Sequence, residues 1–346
     1  MRALQYRTIG SRPELVEVPD PEPGPGQVLL RVTAAGVCHS DEHVMSMPAE
    51  AYTFGLPLTL GHEGAGEVIA LGDGATGVEV GEQVLVYGPW GCGVCWQCSR
   101  GWENYCPRAA ALGIAPPGLG APGAMADLMV VDSPRHLVPI GDLDPVAAVP
   151  LTDAGLTPYH AIMRSIHKIR PGGWAVVIGA GGLGHMAVQL LKVLAGVRVV
   201  AVDLDEHKLE HTLTVGADAV VKSDANAGVE IGRVVGAEGA TLVLDVVGIQ
   251  PTMDLAVSVA GIGADVAIVG IGDFTAAAHV GFGHQAHEVS VCSVYWGGRH
   301  ELIELVDMAR AGLIEVTTET FPLADGTEAY RRMHEGTLIG RAVVVP

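Results

Sequence analysis

The rhythm of apolar and polar positions changes near residue 170, and that change divides the chain. Before it, apolar runs are short and separated by turn residues. Met1 to Tyr6, Val28 to Val32, Gly66 to Leu71, Gln83 to Tyr87 and Asp127 to Val131 each predict a short strand. Gly72-Asp73-Gly74 and Val80-Gly81-Glu82 punctuate them, and the proline-rich stretch Pro19 to Gly26 denies ladder donors and sets a stiff loop. Together they predict an antiparallel barrel or partly open sheet. After residue 170 the runs become continuous. Trp174 to Ile178 predicts a buried strand, His185 to Ala195 a helix, and Val197 to Val202 the next strand, ending at Asp203. Ala219 to Val221, Leu242 to Asp245 and Asp265 to Val269 extend a doubly wound sheet, with Val289 to Val294 as a further strand. A helix from Glu301 to Ala311 and a strand from Ala342 to Val345 close the chain.

Between the first two strands of that sheet lies Gly179-Ala180-Gly181-Gly182-Leu183-Gly184, a full G-x-G-x-x-G. Strand before, helix after and an acid at Asp203 give the dinucleotide fingerprint its required context. Gly179 allows the tight turn, Gly181 lets the backbone approach a pyrophosphate, and Gly184 lets helix and strand pack. The helix N-terminus faces the negative phosphates. Asp203 stands where an acid binds ribose hydroxyls and repels a 2′-phosphate, which favours NAD over NADP. The same stretch, Gly172 to Leu191, carries only His185 and Gln189 as polar side chains and is long enough to cross a bilayer. Its six glycines argue for strand, turn and helix instead.

Length and charge narrow the classes. At 346 residues two domains are expected, and 49% hydrophobic with 17% charged residues excludes disorder. The 47 glycines fit a turn-rich α/β protein. A net charge of −19 repels nucleic-acid phosphates and anionic lipid. With no signal-peptide pattern at the N-terminus, a cytoplasmic protein is expected.

Four of the six cysteines are crowded at Cys92, Cys95, Cys98 and Cys106. This Cys-x₂-Cys-x₂-Cys-x₇-Cys run suits one tetrahedral ion, and the last gap is too long for a ferredoxin-type iron–sulfur run. A structural zinc is the specific expectation. A nucleic-acid zinc ribbon would need a basic face, which the charge opposes. A second cluster surrounds Gly61-His62-Glu63-Gly64-Ala65-Gly66 and Cys38-His39-Ser40-Asp41-Glu42-His43. Thiolate and neutral imidazole suit Zn²⁺, and a catalytic zinc takes three protein ligands plus an open position. Cys38 and His62 supply two. Asp153 sits in an otherwise apolar run, where a carboxylate is paired, caps a helix or binds metal. Cys292 reads as a small buried hydrophobe, and His284 and His287 as polar surface residues.

These motifs, in this order, resemble the zinc-dependent medium-chain alcohol dehydrogenases over essentially the whole length, most closely the bacterial NAD-dependent secondary-alcohol enzymes. The resemblance implies a mainly β, GroES-like catalytic domain with a zinc lobe (about 88–110 within 1–153), a Rossmann domain (154–294), and a return to the catalytic domain (295–346). It implies that Cys38, His62 and Asp153 hold the catalytic zinc, Asp153 standing where many relatives have cysteine. Glu63 would be a nearby carboxylate able to approach the metal, Asp41 would orient His62, and Ser40 and His43 would relay the alcohol proton to solvent through the cofactor ribose. His39, Thr157, Gly179, Gly181, Gly182, Leu183, Gly184, Asp203, Lys208 and Arg341 would contact the cofactor, Arg341 near the phosphates; Lys208 and Arg341 read equally as surface cations. Phe54, Leu119, Tyr295 and Trp296 would wall an apolar substrate pocket, although each also suits an ordinary core. The implied activity is hydride exchange between NAD and small to medium, apolar or aryl alcohols and ketones, in a homodimer or homotetramer. A polyol or formaldehyde dehydrogenase is the near alternative, and a non-catalytic zinc-stabilised dinucleotide sensor the distant one.

Overall fold

The computed structural model describes residues 1–272, 275 and 286–346; His284 lies outside them. In chain order the strands and helices begin with β1 (Arg2–Tyr6), β2 (Glu14–Glu17), β3 (Val28–Gly36), α1 (His39–Ser46), β4 (Leu58–Thr59), β5 (Glu63–Leu71) and β6 (Gln83–Val86). β7 (Leu128–Val131), β8 (Leu137–Pro139), α2 (Pro145–Ala148) and α3 (Leu156–Ser165) follow. The middle of the chain is β9 (Trp174–Ile178), α4 (Gly182–Ala195), β10 (Arg198–Asp203), α5 (Glu206–Thr214), β11 (Ala219–Lys222), α6 (Ala227–Val235), β12 (Ala240–Asp245), α7 (Gln250–Val259), β13 (Ala260–Ile268) and β14 (Ser290–Ser293). It ends with α8 (Arg299–Arg310), β15 (Thr318–Pro322), α9 (Gly326–His334) and β16 (Arg341–Val345).

The chain forms two compact units, one of residues 1–156 with 297–346, the other of residues 157–296. The first is built on a sheet in the order β15-β16-β3-β5-β6-β8, with β7 also pairing β3, and a small sheet β2-β1-β4. Its pairings are antiparallel except β15 with β16. Its core gathers Leu4, Tyr6, Leu30, Leu60, Val84, Met125 and Val344 from segments distant in sequence. Each such side chain taken wholly from water contributes about 1.5–3 kcal/mol, which ties the C-terminal strand β16 into the N-terminal sheet. β3 and β5 run past the apolar stretches of the sequence, to Gly36 and back to Glu63, because the two strands extend each other's ladder by pairing Gly36 with Glu63. That extension puts both chemical motifs at the ends of paired strands.

The second unit is an all-parallel sheet in the order β11-β10-β9-β12-β13-β14. The chain winds outward from β9 through β10 to β11, then restarts at β12 on the other side. The strand order therefore reverses between β9 and β12, where doubly wound folds open a ligand crevice. β9 has no polar alternation because helices cover both faces of a parallel sheet, and Ala175, Val176 and Val177 are wholly buried. Among the described residues no helix is long and apolar enough to cross a membrane. The stretch from Gly172 to Leu191 is split by the glycine turn into β9 and α4.

Candidate active site and metal centres

Cys38 leaves the end of β3 and sits at the N-cap of α1. His62 immediately precedes β5, and Asp153 follows the tight 3₁₀ turn 149–152. Folding brings Cys38, His62, Glu63 and Asp153 together, with one donor atom from each lying within 4.8 Å of the others. Cys38 Sγ is 3.3 Å from Asp153 Oδ2, and His62 Nε2 is 3.6 Å from the same oxygen. Asp153 aims its carboxylate into this cluster.

The surroundings are dry and acid-rich. Asp41 and Glu63 are wholly buried, His62 is 1% exposed and Asp153 9%. Arg341, 5% exposed, donates to both Glu63 oxygens and, at 3.0 Å, to Asp153 Oδ2. It lies at the first position of β16 with its guanidinium occupied by these two acids. Three carboxylates and a thiol thus face one guanidinium and one imidazole. Buried charge requires compensation, so this donor set fits a divalent cation. The imidazole shows the imbalance: burial works against its charged form, yet Asp41, Cys38 and Asp153 together raise its pKa well above the usual value. Gly36 is glycine for the same cluster, since a Cβ there would lie 1.9 Å from the Glu63 carboxylate.

A further layer holds these side chains. His62 Nδ1 is 2.9 Å from Asp41 Oδ1, which leaves Nε2 facing Asp153. Tyr330 on α9 donates its O–H to Asp41 Oδ2 at 2.8 Å. Sequence reasoning missed Tyr330, because in α9 it keeps step with the buried face Gly326, Ala329 and Met333 and reads as a core aromatic. Ser40 is half-buried with Oγ 3.7 Å from Cys38 Sγ, while His39 and His43 on the same helix are exposed.

Cys92, Cys95, Cys98 and Cys106 form the second donor group, with Sγ–Sγ distances of 3.4 Å for Cys95–Cys98 and 3.9 Å for Cys92–Cys98 and Cys95–Cys106. Backbone N–H groups, that of Val94 foremost, pull the Cys92 thiol down to about 6, whereas burial first and neighbouring thiols next push Cys98 up to about 12. Four sulfurs this close ionise together only around a cation, so the set fits zinc with no open position. The lobe is buttressed by residues the sequence did not single out. Glu103 accepts from Gly91 N, Arg135 Nη1 and His136 Nε2, and the His136 ring stacks on Trp90 at 5.2 Å.

In the second unit the glycine turn follows β9 at the point where the strand order reverses. Among the described residues nothing lies within 4 Å of a Cβ built on Gly181, whereas one on Gly184 would lie 1.9 Å from the Gly179 oxygen. α4 begins at Gly182 with no side chain capping it, so its first N–H groups are left for an anion. Asp203 closes β10; its Oδ2 accepts from Ala180 N at 2.7 Å and its Oδ1 from Asp205 N at 2.9 Å. This carboxylate ties the glycine turn to the start of α5 and fits a ribose. Lys208 in the first turn of α5 is half-buried, and Thr157 in α3 is 5% exposed. Of the pocket candidates, Phe54 and Leu119 pack against the first unit's core. Tyr295 is 44% exposed, and Trp296, at a φ of 53°, is buried with the two rings edge-on at 5.8 Å. Cys292 is half-buried and receives a hydrogen bond from Arg164; His287 is exposed.

His185, one residue after the motif, is wholly buried, with Nδ1 3.2 Å from Gly181 O and its ring 5.9 Å from that of His211. Burial depresses its pKa from 6.5 to about 4. Between those values the unfolded chain holds a proton that the folded chain lacks, so stability falls as pH drops from about 6.5 towards 4. At about 1.4 kcal/mol per pH unit, roughly 3 kcal/mol is at stake, about 2 of it gone by pH 5. Urea unfolding at pH 7 and pH 5 should show that difference shrinking in His185→Gln, the remainder coming from His211 and other groups. An unchanged difference would mean that His185 is not buried neutral.

A nucleotide-binding parallel sheet, a four-thiolate cluster and a second, buried Cys-His-carboxylate donor set in one chain define a zinc-binding dehydrogenase. Residues 24–142 match the family described as alcohol dehydrogenase GroES-like domain, and residues 182–311 the family described as zinc-binding dehydrogenase. The chain is 33% identical to the NAD-dependent alcohol dehydrogenase of Sulfurisphaera tokodaii, with 100% of both chains covered. Among solved structures it is similar to the alcohol dehydrogenase of Aeropyrum pernix, with TM-score 0.89, 31% identity and 100% of both chains covered. It is also similar to acetophenone reductase from Geotrichum candidum in complex with NAD, with TM-score 0.86, 29% identity, and 100% and 97% coverage. The chain belongs to the zinc-dependent medium-chain alcohol dehydrogenase family.

Proposed function

We propose that this enzyme interconverts alcohols and aldehydes or ketones with NAD, with secondary alcohols of small to medium size, apolar or aryl, as its preferred substrates. The observation that carries this reading is the buried set Cys38, His62, Asp153 and Glu63, whose two acids together with Asp41 outnumber the guanidinium of Arg341. Cys38, His62 and Asp153 would hold the catalytic zinc and the four-cysteine lobe a structural one. When bound, zinc supplies Lewis acidity that lowers the pKa of an alcohol, and NAD supplies the hydride acceptor.

The chain's own residues do the rest. Ser40 Oγ, beside Cys38, would accept the alcohol proton as it releases its own, which the exposed His43 would pass to solvent by way of the cofactor ribose. With NAD bound, the net exchange would turn alcohol and NAD into ketone, NADH and one proton released to water. Glu63, neutralised by Arg341, leaves the inner positions to Cys38, His62 and Asp153. The Gly181 opening and the N-terminus of α4 receive the pyrophosphate, and Asp203 selects an unphosphorylated ribose. Phe54 and Leu119 in the first unit, and in the second the exposed Tyr295 with the buried Trp296 edge-on beside it, are apolar or aromatic residues with few groups to meet the extra hydroxyls of a polyol. The acetophenone reductase among the structural neighbours supports an aryl-accommodating pocket. Among the described residues β14 has no second neighbour in its sheet, and it exposes Val291, which supports pairing of copies into a homodimer or homotetramer along this edge. The crowded free thiols suit a reducing compartment, the cytoplasm.

The test is metal content per chain together with NADH formation from 2-propanol and 1-phenylethanol, before and after chelation. Two zincs per chain, with activity lost as one is removed, are expected. One zinc and no turnover of any alcohol would sink the assignment.

A further inference from the structure

We propose that Tyr330 is a positioning residue of the catalytic metal centre, acting through Asp41 on the His62 ring. The proposal rests on reading Cys38, His62 and Asp153 as that centre. Tyr330 is 6% exposed, Asp41 wholly buried and His62 1% exposed, so the three polar groups meet away from water. The phenol donates to Asp41 Oδ2 at 2.8 Å, and Asp41 Oδ1 faces His62 Nδ1 at 2.9 Å. Each carboxylate oxygen has its own partner, so the plane of Asp41 is fixed from both sides. A fixed Asp41 keeps the His62 proton on Nδ1 and presents the Nε2 lone pair towards Cys38 and Asp153.

A core aromatic at this position would serve as well without its hydroxyl. What sets Tyr330 apart is a fully buried O–H aimed at a fully buried carboxylate. Burial and the Asp41 charge both hold this phenol well above its ordinary pKa, so it stays a donor. The supporting elements have the same logic. α9, which carries Tyr330, packs on β16, whose first residue Arg341 secures Glu63 and Asp153. One C-terminal helix and strand therefore hold acids on two sides of the centre: Asp41 through Tyr330, and Glu63 and Asp153 through Arg341. Without the phenol, Asp41 Oδ2 loses its donor in a site closed to water, and the carboxylate is free to rotate away from Nδ1.

The experiment compares the full-length wild type, Tyr330→Phe, Asp41→Asn and the double variant. Zn²⁺ affinity is measured by chelator competition, with the four-cysteine site in the same molecule as internal reference. Co²⁺ placed in the catalytic site reports its ligand field by visible absorption. Loss of an outer partner of a ligating histidine weakens metal binding by about 10–100-fold. Tyr330→Phe is therefore expected to lose about tenfold at the catalytic site and none at the four-cysteine site, with a shifted Co²⁺ band. In the Asp41→Asn background the same change should add little, because the route through the carboxylate is already cut. Wild-type affinity and an unshifted band in Tyr330→Phe would overturn the proposal, as would an equal loss in both backgrounds. If Tyr330→Phe does not fold, Asp41→Asn reads the link from the other side, and wild-type metal affinity there overturns it. Metal affinity is read without turnover, so a wild type that binds both zincs but oxidises no alcohol defeats the functional reading and leaves this one standing. A wild type holding metal only at the four cysteines overturns both.

Discussion

Asp153→Ala is expected to lower kcat on the order of a thousandfold and to leave one zinc per chain where the wild type holds two. Asp153 Oδ2 lies 3.3 Å from Cys38 Sγ and 3.6 Å from His62 Nε2, so it completes a three-donor set that the other two residues cannot form alone. Among the described residues Glu63 is the remaining carboxylate of the donor set, and Arg341 holds both of its oxygens. Lewis-acid stabilisation of developing charge is worth several kcal/mol, and about 4 kcal/mol is a factor of a thousand in rate. The loss has a second source: Arg341 is left with one acid fewer inside a dry site. Asp153→Cys should recover most of the metal, because thiolate is itself a good zinc donor. Metal analysis and steady-state kinetics on the three proteins decide the matter. An alanine variant that keeps two zincs and a kcat within tenfold of wild type would remove Asp153 from the ligand set.

The second large effect separates two glycines of one motif. A Cβ on Gly184 would lie 1.9 Å from the Gly179 oxygen and 2.8 Å from its carbonyl carbon, both backbone atoms with no rotamer to yield. α4 must then move away from the end of β9. Alanine is intrinsically about 1 kcal/mol better than glycine in a helix, but overpacking against backbone costs about 1–3 kcal/mol or more and dominates. Gly184→Ala is expected to lower the unfolding temperature and to weaken NAD binding at least tenfold, because the displaced helix carries the phosphate-facing N–H groups. Gly181 is the converse case. Its Cβ would meet nothing within 4 Å among the described residues, so Gly181→Ala should leave stability unchanged. It should still weaken NAD, because that space is where the pyrophosphate approaches. Thermal unfolding without cofactor, paired with NAD titration, distinguishes the two signatures. Equal unfolding temperatures for both variants and wild type would show that the helix–turn contact is not tight. Undiminished NAD affinity in Gly181→Ala would place the phosphates elsewhere.

Much of the second unit was legible in the sequence because its elements are local. Trp174 to Ile178 is apolar on every position since both faces of a parallel strand are covered, and no partner is needed to see it. The glycine motif, the helix after it and Asp203 follow within one βαβ unit, so spacing alone sets their order. The four cysteines are likewise near neighbours, whose chemistry spacing announces. The first unit was harder. Val28 to Val32 and Gly66 to Leu71 mark strands, but their true ends at Gly36 and Glu63 depend on each other, through a pairing across 27 residues of chain.

The sequence by itself determined which chemical groups this protein owns: thiols, imidazoles and carboxylates in two clusters, and a glycine turn between strand and helix. Short-range spacing carries that information, since it survives without any tertiary contact. The resemblance pointed to Asp41, Glu63 and Asp153 beside Cys38 and His62, but tertiary structure alone decided that these groups meet and what holds them. Asp153 is 115 residues from Cys38, Arg341 is 278 from Glu63, and Tyr330 is 289 from Asp41. No local pattern records such meetings. Burial makes them matter, because in a site without water every charge must find its partner in the protein or in the ion it binds.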